Sequence, residues 1–439
     1  MNSLCTIAFA FLVINSFSQE ETIRIQGKVV DSQAGALAYA NVYLKGKSIG
    51  TVTNDLGEFD FRAPASCMHD TLIISYVGYK SYESELLKIE AAVFRLESYP
   101  TQLQEIEVRD ISPESIMRKA LASIGKNYPV EPYLLKGFYR DWKVRESIDP
   151  DSSKVSLIEA AVAIYDKGYK NAQKRSSREE VFLEEIRRTK APGTMYNYLY
   201  LLLEQNYVRH NWSRNLGNVY SPFDFYHLTE YKIEDVLSQE AGNVYLISAN
   251  LPSKLGRYHF YVTAKDFVFL RIDFKGQMSS DEVLGEDPMP WIKKTHQLIF
   301  VDNTLGFRKY SDRYFPNYLK LNWKTHTLYD STRQITDTRE FSQELLINEI
   351  ITENVESLKK TLLFPMALTT SLEKQVRPYH SAFWEKFNIV KEKPLEARLK
   401  KLLEKNEKIE EQFLNQKADS SMNGKNLKVK KSSTRKSAK

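Results

Sequence analysis

Cysteine is almost missing from this chain of 439 residues, which has Cys5 and Cys67 and no others. Cys5 lies in an N-terminal segment expected to be removed and has no lipobox before it, which argues against lipid anchoring there. Cys67 is then alone, which rules out an intramolecular disulfide in the mature chain and a zinc site built on cysteines. Long apolar runs are also scarce. Thr6 to Phe17 is one such stretch, interrupted by Asn15 and Ser16, and it is shorter than the roughly 20 apolar residues a spanning helix needs. No nucleophile elbow, Walker loop or dinucleotide fingerprint occurs, so three large enzyme classes lose their usual signatures.

The short apolar stretch fits export better than anchoring. Ser16 and Ser18 stand at the −3 and −1 positions of a signal-peptidase site, predicting a signal peptide over 1–18 and a mature start at Gln19. The segment before the apolar core has no Lys or Arg, so the expectation rests on that core and the cleavage site. The formal net charge is +6, with pI about 8.8. After Asp419, seven basic residues (Lys425, Lys428, Lys430, Lys431, Arg435, Lys436 and Lys439) occur without an acid, so the rest of the chain is nearly neutral. Residues 418–439 are polar and basic, the composition of a disordered tail. Nucleic acid is not an expected partner for an exported protein. The tail is read first as solubilising and second as a peripheral contact with anionic lipid, where each lysine near the surface contributes ~1 kcal/mol.

Between residues 22 and 97 short strands alternate with turns. Ile23, Ile25, Gly27 and Val29 interleave with Arg24, Gln26 and Lys28, the period of a half-buried strand. Asn54–Gly57 carries the residue types of a tight turn, and Gly78 follows a strand end where a positive φ is often needed. Four blocks in this region resemble the carboxypeptidase-like regulatory domain of Bacteroidota envelope proteins. They are Gly27–Asp31, Ala40–Leu44, Gly50–Phe59 and Ile74–Tyr79, in the order and spacing of that family. The family often has Pro just before the second block, where this chain has Ala38 and Tyr39. The resemblance implies a transthyretin-like β-sandwich with a presenting role rather than a catalytic one. Leu103–Val108 is similar to the short strand that follows the module in such proteins.

The remainder predicts a second, larger β unit. Ser112 and Pro113 form a helix start, Ile116, Met117, Ala120, Leu121 and Ile124 share one face, and Gly125 is expected to end the helix. A second helix is expected from about Met195 to Val208. Tyr-rich strands surround it, with Val268, Leu270, Ile272 and Phe274 facing one way and Leu319, Leu321 and Trp323 alternating with Lys320, Asn322 and Lys324. Over Tyr258–Phe274 and the Trp291–Thr327 meander the chain resembles the open half-barrel of envelope lipoprotein-handling proteins, which implies an apolar groove for acyl chains. Phe383–Leu395 resembles a closing motif of two-part Bacteroidota proteins. Leu395, Leu399, Leu402, Asn406, Ile409 and Phe413 then keep a 4-3-4-3-4 spacing. That spacing fits a coiled-coil seam or a docked amphipathic helix, and docking is expected because short isolated coils are marginal.

The candidate chemistry is thin. His227 and Glu230 have the spacing of two zinc ligands, with His259, His296 or His326 as a third, yet two local residues do not make a site. Glu184, Glu185 and Asp224 are carboxylates without a spacing that pairs them, and Cys67 with His69 is no dyad. No catalytic, cofactor-binding or metal residue is therefore assigned, and no cofactor is expected. The expected architecture is mainly β with minor α: 19–98 a seven-stranded-type β-sandwich, 99–126 a linker strand and helix, 127–350 a curved antiparallel sheet with packed helices, and 351–417 a C-terminal helical segment. A transmembrane barrel is not expected, because Lys and Arg interrupt both faces of the alternating strands. The expected function is a non-catalytic periplasmic or outer-membrane-associated binding or scaffold protein, soluble, whose partners are envelope proteins or an apolar small molecule held in the curved sheet. The alternative is a zinc-dependent or other hydrolase assembled from scattered His and acidic residues.

Overall fold

Strand β1 (Thr22–Val30) buries Ile25 and Val29 and turns Arg24 outward, where its guanidinium meets Asp60 at 2.6 Å. The computed structural model describes residues 21–99, 111–169, 179–190, 202–203, 206, 208–209, 228–251, 256–277, 285–286, 294–329, 332–357, 378–392 and 397–416. The expected signal peptide, the 103–108 strand and the basic tail lie outside them.

β1 pairs with β4 (Glu58–Pro64) and, in parallel, with β7 (Val93–Arg95). A second sheet has the order β3 (Gly50–Val52), β2 (Asn41–Leu44), β5 (Thr71–Ser75), β6 (Tyr82–Glu85). The two sheets close on Val29, Val42, Phe59, Leu72, Ile74 and Phe94, giving the expected seven-stranded sandwich. Its β3–β4 turn follows the sequence reading. The Asn54 side chain accepts from the amides of Leu56 and Glu58, and Gly57 sits at φ +75, where a Cβ would lie 2.4 Å from the Val29 carbonyl. Cys67 is buried in this core, in a single 3-10 turn.

The larger sheet is antiparallel. Three strands run outward from its middle: β8 (Tyr133–Ser147), β9 (Lys154–Asp166) and β10 (Glu180–Arg188). The chain resumes at the opposite edge with β11 (Thr229–Leu237), β12 (Val244–Asn250), β13 (Gly256–Thr263) and β14 (Phe269–Gly276). It returns through β16 (Lys294–Tyr310), which also pairs with the short β15 (Gly285–Glu286), then β17 (Arg313–Tyr329) and β18 (Ile335–Ile351). β18 finally pairs with β8, Tyr139 opposite Leu345. The edges β10 and β11 do not pair, so the sheet is open.

Helices α1 (Pro113–Ala122) and α2 (Ile124–Asn127) pack on one face. Ser112 caps α1 by accepting from Ser115, and all five predicted core residues are buried. The helix ends at Ser123, and Gly125 falls inside α2 instead of closing α1. The expected second helix lies largely outside the described residues, with Leu202, Leu203 and Val208 buried against the same core. That core is continuous from Val181 and Ile186 on β10 to Tyr245 and Ile247 on β12. On β14 the predicted alternation breaks: Phe269, Ile272 and Phe274 join the core, while Leu270 is displaced by a register shift opposite Tyr261 and Val262.

The opposite face of the sheet is covered as well. Against it lie the sandwich and the segment that begins with α3 (Ser381–Lys386), where Val52, Phe138, Tyr318, Leu346, Trp384 and Val390 form a second buried cluster. The expected continuous C-terminal helix is two short ones, α4 (Ala397–Leu403) and α5 (Ile409–Leu414). Gln412 explains the break: its amide donates to the carbonyls of Leu403 and Glu407 and its oxygen accepts from the Lys190 amide, tying both pieces to the sheet edge. No helix among the described residues is long and apolar enough to cross a membrane.

Trp384 is 4% exposed, edge-on to Phe138, with the Arg187 guanidinium 4.5 Å above its ring. Trp384→Ala is expected to lower unfolding stability by about 3–5 kcal/mol in urea titration, the usual cost of emptying a buried aromatic site.

Candidate functional site

The sandwich meets the sheet through a face rich in polar side chains. Tyr39, at φ +62 just before β2, stacks on Tyr318 of β17 with ring centroids 4.8 Å apart. Lys320 donates to the Tyr39 hydroxyl at 2.6 Å and lies 3.3 Å from Asp55. Asn388 works as a double-sided clip. Its side chain exchanges two hydrogen bonds with the backbone of Arg62 on β4, and its carbonyl accepts from Asn348 on β18. The segment resembling a closing motif thus sits between sandwich and sheet and ties each to the other.

Under the C-terminal part of this seam the charges balance. Glu159, fully buried on β9, accepts from Arg140 at 2.7 Å and from Arg187 at 2.5 Å, while Arg140 also reaches Glu344 at 2.8 Å. Burial alone would raise the Glu159 pKa, but the two guanidinium groups hold it below the ordinary value of 4.5.

Beside the seam lies a cavity of about 240 Å³. The sandwich contributes Tyr39, Tyr43, Tyr76 and Tyr79, and the sheet contributes Tyr261, Leu270, Arg271, Arg308, Tyr314 and Tyr318. The turn between β11 and β12 supplies Gln239–Ala241 at its open side. Arg271 has its charge answered. Its Nε lies 2.9 Å from both Asp273 oxygens, its Nη1 donates to the Tyr76 hydroxyl at 3.2 Å, and Asp273 accepts from Thr304. Burial would lower the Arg271 pKa, and Asp273 more than restores it. Burial also pushes the Tyr261 hydroxyl up to about 12. Arg308 is different. Its Nη2 donates to the Ser48 carbonyl at 2.7 Å, and its guanidinium lies 5.4 Å from the centre of the Tyr43 ring.

The residues flagged from sequence do not converge. His227, His296's side chain and Asp224 lie outside the described residues. Glu230 is on edge strand β11 and accepts from Asn250. His259 on β13 and His326 on β17 are three strand spacings apart, about 14 Å, beyond a shared metal ion. Burial lowers the pKa of both. Glu185 holds His380 at 2.8 Å, His69 pairs with Glu85, and the Cys67 sulfur accepts from Lys47 instead. Among the described residues no group of His, Cys, Asp and Glu is placed to hold a metal. On the helix-bearing side of the curved sheet, where an apolar groove was expected, the described side chains form one continuous core. One pocket there, between Tyr133, Asp166, Leu203 and Ile347, measures about 20 Å³, room for one water.

Sequence reasoning missed Tyr39, Arg271 and Arg308. Arg271 and Arg308 read as the polar half of an alternating strand, whose outward side is normally solvated. Tyr39 left one trace, an aromatic residue where the resembled family often has Pro.

A small sandwich fixed to a large open sheet defines a two-part β protein with a cavity at the join. Residues 25–108 match the model of the CarboxypepD_reg-like domain. Over 80 residues the chain is 35% identical to the TonB-dependent receptor SusC of Bacteroides thetaiotaomicron, a match spanning 18% of this chain and 8% of the receptor's length. The sandwich is therefore a CarboxypepD_reg-like domain, and the chain spans less than a tenth of the receptor's length. A solved structure of a DUF1329 family protein from Desulfovibrio piger is 6% identical, with a TM-score of 0.23, over 56% of this chain and 96% of that one. At that score it says nothing about the fold.

Glu159→Gln removes the nearest carboxylate from two largely buried guanidinium groups, leaving Arg140 to Glu344 and both to Glu392 at 3.8 Å, and is expected to cost about 3–5 kcal/mol at pH 7. Because the folded pKa is depressed, that contribution is fully present above about pH 4.5 and is lost as pH falls through the folded value. Chemical denaturation of both proteins from pH 7 to pH 3 should show the gap narrowing only at the acid end.

Proposed function

We propose that the chain is an exported, non-catalytic binding protein of the Bacteroidota cell envelope, periplasmic or peripheral to the outer membrane. In this reading its regulatory-like sandwich and its curved sheet act as one receptor. The observation that carries it is the shared cavity, whose wall takes side chains from both units and exists only while Tyr39, Asn388 and Trp384 hold them together. A sandwich that merely presented the sheet on a linker would have no need of so extensive a polar seam. Small-molecule sites are concave, largely preformed and lined by aromatic side chains with a few fixed polar groups, which describes this cavity, a little smaller than the usual range. Contact of the basic tail with anionic lipid would keep the receptor near a membrane, and envelope proteins are its natural neighbours.

Native mass spectrometry of protein purified without detergent or added metal tests the reading. A stoichiometric organic molecule released on denaturation is the expected result. A bare chain in every preparation, or a stoichiometric zinc ion, would overturn it.

A further inference from the structure

Arg308 stands out among the buried charges of this molecule. It is 4% exposed, on β16, beneath the β2–β3 hairpin of the sandwich. Of its three guanidinium nitrogens, Nη2 is satisfied through Ser48, while Nε and Nη1 are buried without a hydrogen-bond partner. No described carboxylate lies within ion-pair distance, and the charged states that reach it are those of the Tyr43 and Tyr310 hydroxyls. Its burial is severe enough to pull its pKa down to about 10, still charged at neutral pH. Elsewhere on the same face of the sheet other guanidinium groups are answered by acids: Glu159 and Glu344 for Arg140, and Asp273 for Arg271. A buried cation is ordinarily paired or satisfied by hydrogen bonds, because the lost hydration is otherwise not replaced.

The exception coincides with the cavity. Arg308 lines it, with Lys309 at its rim and Arg271 across it already neutralised by Asp273. Asn317 lines it too, buried, with its side-chain oxygen unpartnered while its amide donates to Asn41. Tyrosine rings make up much of the rest of the wall. We propose that the cavity between sandwich and sheet is a site for a small organic oxyanion, whose carboxylate or phosphate is received by Arg308 and whose body packs against the tyrosine rings. Guanidinium N–H donors suit a planar or tetrahedral oxyanion, and Arg308 keeps Nε and Nη1, on different edges of the group, as unused donors. Asn317 supplies an acceptor for a hydroxyl on the same ligand. The proposal rests on the reading of the junction as a binding site and adds the charge of what binds there.

The test is calorimetric titration of the full chain with glucuronate, with glucose 1-phosphate and with glucose. The expected result is saturable binding of at least one anion, at least tenfold tighter than glucose and weakened by added salt. Binding of glucuronate alone or of the phosphate alone identifies which oxyanion is taken. Arg308→Gln should weaken the bound anion at least tenfold. Because that variant also alters the Ser48 contact, Ala241→Trp, at an exposed turn on the open side, serves as a second probe. It keeps Arg308 and should still abolish binding at unchanged melting temperature. Equal affinity for glucose and both anions, or undiminished anion binding in both variants, would overturn the proposal. A neutral molecule released in the native mass spectrum, with no anion bound in the titration, would sink the oxyanion site while leaving the receptor reading intact.

Discussion

A β-sheet whose outward face carries arginines, glutamates and lysine is stable as a buried layer only while other parts of the chain cover that face and answer its charges. Arg140, Glu159, Arg187, Lys320 and Glu344 all lie there, at or near the seam. Water would solvate them well in an ordinary antiparallel sheet with one wet face. Here the sandwich and the segment from Tyr379 to Phe413 replace that water, and the replacement is tolerable because the groups are arranged as interlocking pairs. The fold is thus a three-layer object: helical residues, sheet, then sandwich and C-terminal wedge. The last layer depends on the electrostatics of the one beneath it.

That dependence explains why the cavity has the character it has. A seam made of apolar side chains would close completely, since such surfaces interdigitate to native density. A seam made of fixed hydrogen bonds and stacked rings closes only where its partners match. Tyr39 matches Tyr318 and Asn388 matches the Arg62 backbone. Between the Tyr76–Arg271 contact and the Ser48–Arg308 contact the two surfaces stand apart. The space left is lined by the groups that did the docking, which is why it is aromatic and cationic.

Much of the sandwich was legible in the sequence because its information is local. Alternation in β1, the Asn54–Gly57 turn and the Ala40–Leu44 block each specify structure within a few residues. The start of α1 was legible for the same reason, through Ser112 and Pro113. The larger sheet was legible in kind, but its register was not. The shift that displaces Leu270 depends on how β14 meets β13, which no residue of β14 announces. Of the stripe that starts at Leu395, Leu399, Leu402 and Ile409 are partly buried and Phe413 is buried, so it docks, while Asn406 is exposed and the helix breaks because Gln412 has better partners in its neighbours. The site was the least legible part. Arg271 and Arg308 look like any outward residue of a half-buried strand until Tyr76 and Ser48 of the sandwich, 195 and 260 residues earlier in the chain, come down over them.

The strand order has a consequence in time. The larger sheet is two half-sheets, β8–β10 and β11–β18, joined along the β8–β18 ladder that sets Tyr139 against Leu345. Its central pairing therefore links the first strand of this unit with the last. The loop it closes spans some two hundred residues, and pairings so distant in sequence form slowly. The sandwich, with its short-range contacts, can fold while the rest of the chain is still arriving. The half-sheet β8–β10 must then wait with an exposed edge at β8 until β18 is delivered. The strand order thus leaves the closing of the main sheet to its most distant pairing, β8 with β18.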